Sequence, residues 1–344
     1  MIAEGAQGLG TGNNGRYLGC LEGTESAQEA QARREELRSY WKNSPKFSVA
    51  YSELAKMHHD DFDTIAEEMK LRFKSNRESW LGQNVGFKRG EVYRIVTPGV
   101  VYPLGNLKEE DRARIIYEGI DSVKCWLPYS KGDKEGNKWT NRQELFICWN
   151  AENVKELQSV TTARWQGHKY FLKSGVTWSD TGNHVALKAR IAPMAIFDVS
   201  GMRLTPMIST VPSHILLATF NSNVFSFFIK KFVDHTQKYQ INDIRQAPIV
   251  IPSKDQAAFL EQLAVRALNA KELELRAQEP PSELVQYCRQ LVQRQKQAPN
   301  YLQPDAQVLL FASAQDCLTG IELAVQWEVE KLYGVEGLGP FEEF

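Results

Sequence analysis

The side chains best placed to act together lie between Lys124 and Arg190. This stretch holds five of the eight tryptophans, Trp126, Trp139, Trp149, Trp165 and Trp178. It carries eleven Lys or Arg against six Asp or Glu, a net of +5 in a chain whose total is −1, so the rest sums to −6. Lys and Arg neutralise phosphates and flat aromatic faces lie against bases, so the concentration suits a surface that meets nucleic acid. A tryptophan-rich β core ringed by solvated lysines has the same composition, and composition alone favours it.

Other chemistry is less well supplied. His58-His59-Asp60-Asp61 offers metal-ligand types and is similar to the pattern of metal-dependent phosphohydrolases. A solvated helix face reads the same way, and His168, His184, His214 and His235 stand at no helical spacing from it. Gly8, Gly10, Gly12 and Gly15 invite a nucleotide-loop reading. No apolar strand precedes them, and neither GK[ST] nor GxGxxG follows, so a tight turn fits better. There is no GxSxG. Pro280-Pro281 is the only Pro-Pro pair and lacks the preceding Asn and following aromatic that hold a flipped adenine. No catalytic centre and no cofactor of this chain's own are expected.

The bulk composition bounds the class. A length of 344 residues suggests roughly two or three domains. Apolar and charged fractions of 42% and 24% are those of an ordinary globular protein. Near-zero net charge excludes a purely electrostatic binder such as a basic tail, though not one basic face. Five scattered cysteines without a CxxC pair argue against a disulfide framework and a zinc ribbon, and point to reduced thiols in the cytoplasm. No apolar run long enough for a membrane span occurs, and the start lacks a signal-peptide pattern.

These side chains need elements to position them. A turn entering a strand at Arg16-Tyr17-Leu18 is expected, then helices over Glu25–Trp41 and roughly Tyr51–Arg77. Gly90–Val96 and Gly99–Pro103 read as short strands, and Lys108–Gly119 as a helix closed by its glycine. Strands are expected at Lys124–Tyr129, Leu145–Trp149, Lys169–Leu172, Gly175–Ser179, Ala186–Arg190 and Ala195–Asp198. An exposed hairpin loop would fill 130–137 and a short helix Ala151–Gln158. His214–Tyr239 reads as one helix. Ser253 and Gln256 form a capping box ahead of Leu260, Leu263, Ala264, Ala267 and Leu268 on one helical face. Two more helices follow, one restarting after Pro281 and one ending at Tyr333-Gly334. The fold class is α+β, with a mixed, mostly antiparallel sheet.

Several segments carry a resemblance. Thr11-Gly12-Asn13-Asn14-Gly15-Arg16-Tyr17-Leu18 comes first. Lys124 through Pro128-Tyr129-Ser130-Lys131-Gly132 and Lys138-Trp139-Thr140-Asn141 follow, then Gly175-Val176-Thr177-Trp178-Ser179, Arg190 and Ile196-Phe197-Asp198. Leu216-Leu217-Ala218-Thr219-Phe220-Asn221-Ser222 and Asp243-Ile244-Arg245-Gln246-Ala247-Pro248 complete the order. In this order they resemble the target-recognition region of large bacterial adenine-N6 DNA methyltransferases, of the BREX phage-defence (PglX-like) and MmeI-like restriction-modification kinds. The resemblance covers about half the chain. Asp133 stands where that family has glycine, Asn13 where it has aspartate, and Thr140 at a Tyr-Gly step.

The resemblance implies an entry motif at 1–22, a mainly helical insert at 23–123, a DNA target-recognition core at 124–252 and a C-terminal helical spacer at 253–344. It implies double-stranded DNA as partner, clamped against a methyltransferase catalytic domain or subunit that supplies S-adenosylmethionine. Lys124, Lys131, Lys138, Arg142 and Lys173 would hold phosphates. Asn141, Thr177, Ser179 and Arg190 have the amide, hydroxyl and guanidinium groups that suit base edges. Thr11, Gly12, Asn13, Asn14 and Arg16 would form the entry turn, and Trp139 and Trp178 would flank the DNA or pack in the core, which tryptophan favours. The alternative is a protein-interaction or scaffolding subunit that docks other defence-complex subunits without reading DNA.

Overall fold

The computed structural model describes residues 3–12, 14–73, 82–88, 94–105, 107–133, 135–161, 163–179, 186–209, 211–234, 236 and 238–338. Helix takes 51% of the chain and strand 14%, an α+β fold. None of the described helices is long and apolar enough to cross a membrane.

Contacts gather the chain into two compact units. One comprises Met1–Gly8, Ser130–Arg142 and Gln166–Phe344, the other Leu9–Tyr129 and Gln143–Trp165. The division cuts through the segment 124–252, whose 124–129 and 143–165 portions join the helical insert. In chain order the elements are β1 (Ala3–Ala6), α1 (Asn14–Tyr17), β2 (Leu18–Leu21), α2 (Glu25–Asn43), α3 (Ser48–Met57), α4 (Phe62–Arg72), β3 (Arg94–Val96), α5 (Glu109–Glu118), β4 (Trp126–Ser130), β5 (Leu145–Cys148) and α6 (Ala151–Ser159). Then come β6 (Gly175–Ser179), β7 (Ala189–Ala192), β8 (Ile196–Phe197), β9 (Gly201–Pro206), α7 (Ser213–Phe220), α8 (Asn223–Phe232), α9 (Ile241–Ile244), α10 (Lys254–Leu275), α11 (Ser282–Arg294) and α12 (Ala314–Tyr333).

In the Leu9–Trp165 unit, four strands run β3-β2-β5-β4. β2 pairs parallel with β3 and antiparallel with β5, which pairs antiparallel with β4. Trp41 anchors the helical part. It is fully buried, stacks on Phe62 and donates its indole N–H to Val85 O at 2.7 Å. Gly119 closes α5 at φ +82°, where a Cβ would lie 2.7 Å from the backbone of Ala151. Only glycine fits that close, left-handed corner.

In the other unit, β1-β9-β6-β7 form an antiparallel sheet. Trp178, Met202 and Leu204 pack there with Leu216, Phe220 and the inner faces of α10 and α12. The Ser253–Gln256 capping box starts α10, whose Leu260, Leu263, Ala264 and Ala267 are buried while Leu268 is half-buried. β1 and β9, which sequence patterning did not indicate, complete this sheet. All five cysteines are free and buried.

Several sequence expectations are corrected. The strand expected at Arg16 begins at Leu18, because Asn14–Tyr17 coils into one helical turn. The helix expected over Tyr51–Arg77 is two helices. His59 and Asp60 take positive φ of 50° and 59°, and Asp61 caps the second by accepting from Thr64 N. Residues 74–77 lie outside the described residues, as do 90–93 of the Gly90–Val96 strand. Pro98–Val100 is a 3-10 turn rather than part of a strand. Lys169-Tyr170 also lies in a 3-10 turn, between left-handed Gly167 and Leu172, since a short apolar run carries no period of its own. The helix expected over His214–Tyr239 breaks at Asn221-Ser222. There the Ser222 hydroxyl accepts from Phe225 N and starts a new helix.

Candidate nucleic-acid interface

Sequence patterning predicts an exposed hairpin loop over 130–137. The start of that loop is instead clamped into the unit of the β1-β9-β6-β7 sheet, hereafter the sheet unit. Asp198 donates its backbone N–H to Ser130 O at 2.8 Å, and its carboxylate accepts from both N–H and hydroxyl of Ser200. The Ser200 hydroxyl in turn accepts from Gly132 N at 3.3 Å. A Cβ on Gly132 would lie 2.8 Å from Ser200 O, so glycine permits the approach. The Ser179 hydroxyl accepts from Asp133 N at 2.8 Å and donates to Asp133 O at 3.0 Å.

Asp133 then folds the loop around itself. Its carboxylate accepts from Glu135 N, Asn137 N and the Asn137 amide. Beneath it lies Arg190, 1% exposed, with Nη1 at 3.8 Å from Asp133 Oδ2 and 3.5 Å from Asn137 O. Burial holds the Arg190 guanidinium below its usual pKa range, and the Asp133 charge opposes that shift. Trp139 closes the loop. Its N–H donates to Ala189 O at 2.8 Å and its carbonyl accepts from Ile191 N at 2.7 Å. Its ring is fully buried, and the indole N–H reaches Glu322 at 2.6 Å. Asn221 brackets the same strand, accepting from Ala189 N at 2.8 Å and donating to Ala189 O at 3.0 Å.

Two base-reading candidates are buried. Thr177 is buried and its hydroxyl donates to Met202 O at 2.8 Å. Arg190 is buried under the loop. Ser179 is half-buried and spends its hydroxyl on Asp133. Asn141 is exposed.

The phosphate candidates divide. Lys131, Lys138, Arg142 and Lys173 belong to the sheet unit and Lys124, exposed, to the other. Lys131 and Lys173 are half-buried. Lys138 Nζ lies 3.7 Å from Glu322, and the Arg142 guanidinium donates to Leu275 O. Lys188 joins this group. Burial lowers its pKa, and the nearby charge of Lys138 lowers it further. Nothing in the local sequence marks it, because strand pairing brings it beside the loop.

The entry-motif residues serve the other unit. Thr11 is buried and donates to the Asn14 side chain at 2.6 Å, Gly12 takes φ +70°, and Arg16 pairs with Glu156 at 2.5 Å. Asn13 lies outside the described residues. Of the four-residue His58–Asp61 run, Asp61 is a helix cap, and no group of His, Cys, Asp and Glu able to hold a metal occurs among the described residues. Comparison with protein-family models and with curated proteins returned no match.

Proposed function

We propose that this chain is the sequence-specific duplex-DNA recognition module of an adenine-N6 DNA methyltransferase in a bacterial phage-defence or restriction-modification system. One observation supports the reading most. Of the segments that carry the resemblance, those at 130–132, 138–141, 175–179, 190 and 216–222 interlock within one unit, while those at 11–18 and 124–129 belong to the other. Gly132 packs on Ser200, Ser179 holds Asp133, Arg190 lies beneath Asp133, and Asn221 brackets the strand that pairs with Trp139. Motifs scattered over more than 80 residues of sequence thus build one scaffold, and that scaffold fixes the strip formed by the described residues 131–133 and 135–142.

In this reading the strip's outer side chains do the work. Lys131, Lys138 and Arg142 hold phosphates and set register, and exposed Asn141 is the base-edge candidate. Lys138 would exchange Glu322 for a phosphate oxygen. Methyl transfer from S-adenosylmethionine belongs to the catalytic partner, while this chain binds and orients the duplex.

The test is fluorescence anisotropy with a pool of random duplexes at two salt concentrations, with and without a methyltransferase catalytic subunit. Salt-sensitive binding with an enriched sequence is expected. The triple variant Lys131→Ala, Lys138→Ala, Arg142→Ala should keep its circular dichroism and flatten the log–log salt slope by about 0.9 for each phosphate it no longer neutralises. Binding that ignores salt and the triple variant would favour the protein-interaction reading.

A further inference from the structure

The sheet unit contains a cavity of about 520 Å³ that DNA recognition leaves unused. Its wall is formed by Leu204 on β9, Leu216 and Phe220 on α7, and Ile244 on α9. All four are at most 5% exposed, so the hollow reaches the apolar interior. Protein interiors are close-packed, with few voids larger than a water molecule. A hollow of this size falls instead within the roughly 300–1,000 Å³ of small-molecule sites.

Its polar groups gather in one place. Glu4, Lys169, Tyr170 and Arg245 line the same cavity. The Tyr170 hydroxyl donates to Glu4 Oε2 at 2.7 Å, and Lys169 Nζ stands 3.9 Å from that oxygen. The Tyr170 hydrogen bond, aided by the Lys169 charge, holds the Glu4 carboxyl below the usual carboxylate range, so it is ionised at neutral pH. Arg245 spends two N–H groups on Gly5 O and the Asn242 side chain. A guanidinium carries five N–H donors, so further ones can meet a ligand. Among the described lining residues, two cations, Lys169 and Arg245, stand against one carboxylate.

From this pairing of apolar interior and cationic edge, we propose a binding site for a small amphiphile with one anionic head group of the carboxylate class. The apolar body would lie against Leu216, Phe220 and Ile244, and the head would meet Arg245 and Lys169. The site stands on its own observations and holds whether or not the chain reads DNA.

Isothermal titration of the full chain with octanoate, decanoate and dodecanoate, below their micellar concentrations, tests it, with dodecylamine as the oppositely charged probe. One saturable site is expected for the carboxylates, tightening about fourfold per added methylene until the cavity is full. Dodecylamine should bind at least tenfold more weakly than dodecanoate. Lys169→Glu changes an exposed side chain and should weaken dodecanoate at least tenfold while bringing dodecylamine up. Ala247→Trp projects a ring from the half-buried lining and should abolish binding with the unfolding midpoint retained. If that variant fails to fold, Lys169→Glu alone carries the test. Absence of saturable carboxylate binding, equal binding of dodecylamine, or dodecanoate affinity unchanged in Lys169→Glu would each overturn the proposal.

Discussion

Neutralising Asp133 should unsettle the loop scaffold, and the cost can be worked from the structure. The Arg190 guanidinium and the Asp133 carboxylate stand 3.8 Å apart, with side chains only 1% and 6% exposed. At an effective dielectric constant of about 20, that separation corresponds to an attraction of about 4 kcal/mol. Breaking a buried pair by removing one partner costs about 3–5 kcal/mol, because the other charge stays buried, so the two figures agree. Asp133→Asn keeps an oxygen for the loop N–H groups and removes the charge. It should cost about 3 kcal/mol. Arg190→Met removes the buried cation and should cost about 2–3 kcal/mol by stranding the carboxylate. The double variant then lacks both charges and should fall short of the summed losses by at least about 1.5 kcal/mol. Urea unfolding followed by tryptophan fluorescence reads this, since Trp139 and Trp178 both lie in the same core. Single losses that add within about 0.5 kcal/mol would refute the pairing. So would an Arg190→Met variant with unchanged stability and an altered DNA sequence preference, which would restore Arg190 as a base reader.

Two further outcomes are expected. Gly119→Ala forces a Cβ to 2.7 Å from Ala151 backbone at a φ of +82°, and should lower the thermal midpoint of the unit formed by 9–129 and 143–165. A destabilisation of about 1–3 kcal/mol or more is anticipated, and a midpoint equal to wild type would contradict the corner geometry. The Cys20 thiol is pushed up to about 11 from 9.0, chiefly by burial. The unfolded chain therefore ionises there first, so stability is intact below about pH 9, falls between about pH 9 and 11 and levels above it. The loss is on the order of 2–3 kcal/mol. Cys20→Ala should flatten that part of the stability–pH curve, read by urea midpoints at successive pH values.

Much of the local structure was legible because it rests on local chemistry. Ser253 and Gln256 cap α10 through adjacent side-chain and backbone groups, and Gly119 and Gly334 end their helices through a φ that other residues resist. β5 and β6 were visible as apolar runs bounded by turn residues. The 3-10 turn at Lys169-Tyr170 was not, nor was the break at Asn221-Ser222. In both, a residue's alternative hydrogen bonds or left-handed conformation overrode an apolar run that fits helix or strand equally. β1 and β9 were missed because their short runs become strands only by pairing with each other and with β6.

The candidate site shows the same division more sharply. Residue types alone determined where basic charge and tryptophan concentrate and which segments resemble a recognition region, and they favoured the core for Trp139 and Trp178, both of which are buried. Orientation was beyond them. Thr177 and Arg190 have side chains suited to base edges, yet strand pairing turns both inward, Thr177 onto Met202 O and Arg190 beneath Asp133. Lys188 and Glu322 join the strip from positions that sequence spacing cannot connect, and the cavity beside Arg245 exists only where β1, β9, α7 and α9 meet. A side chain's chemistry is fixed by its covalent structure, whereas its exposure and partners are set by contacts between residues far apart in the chain. Tertiary structure alone therefore decided which of these groups are exposed and which are buried.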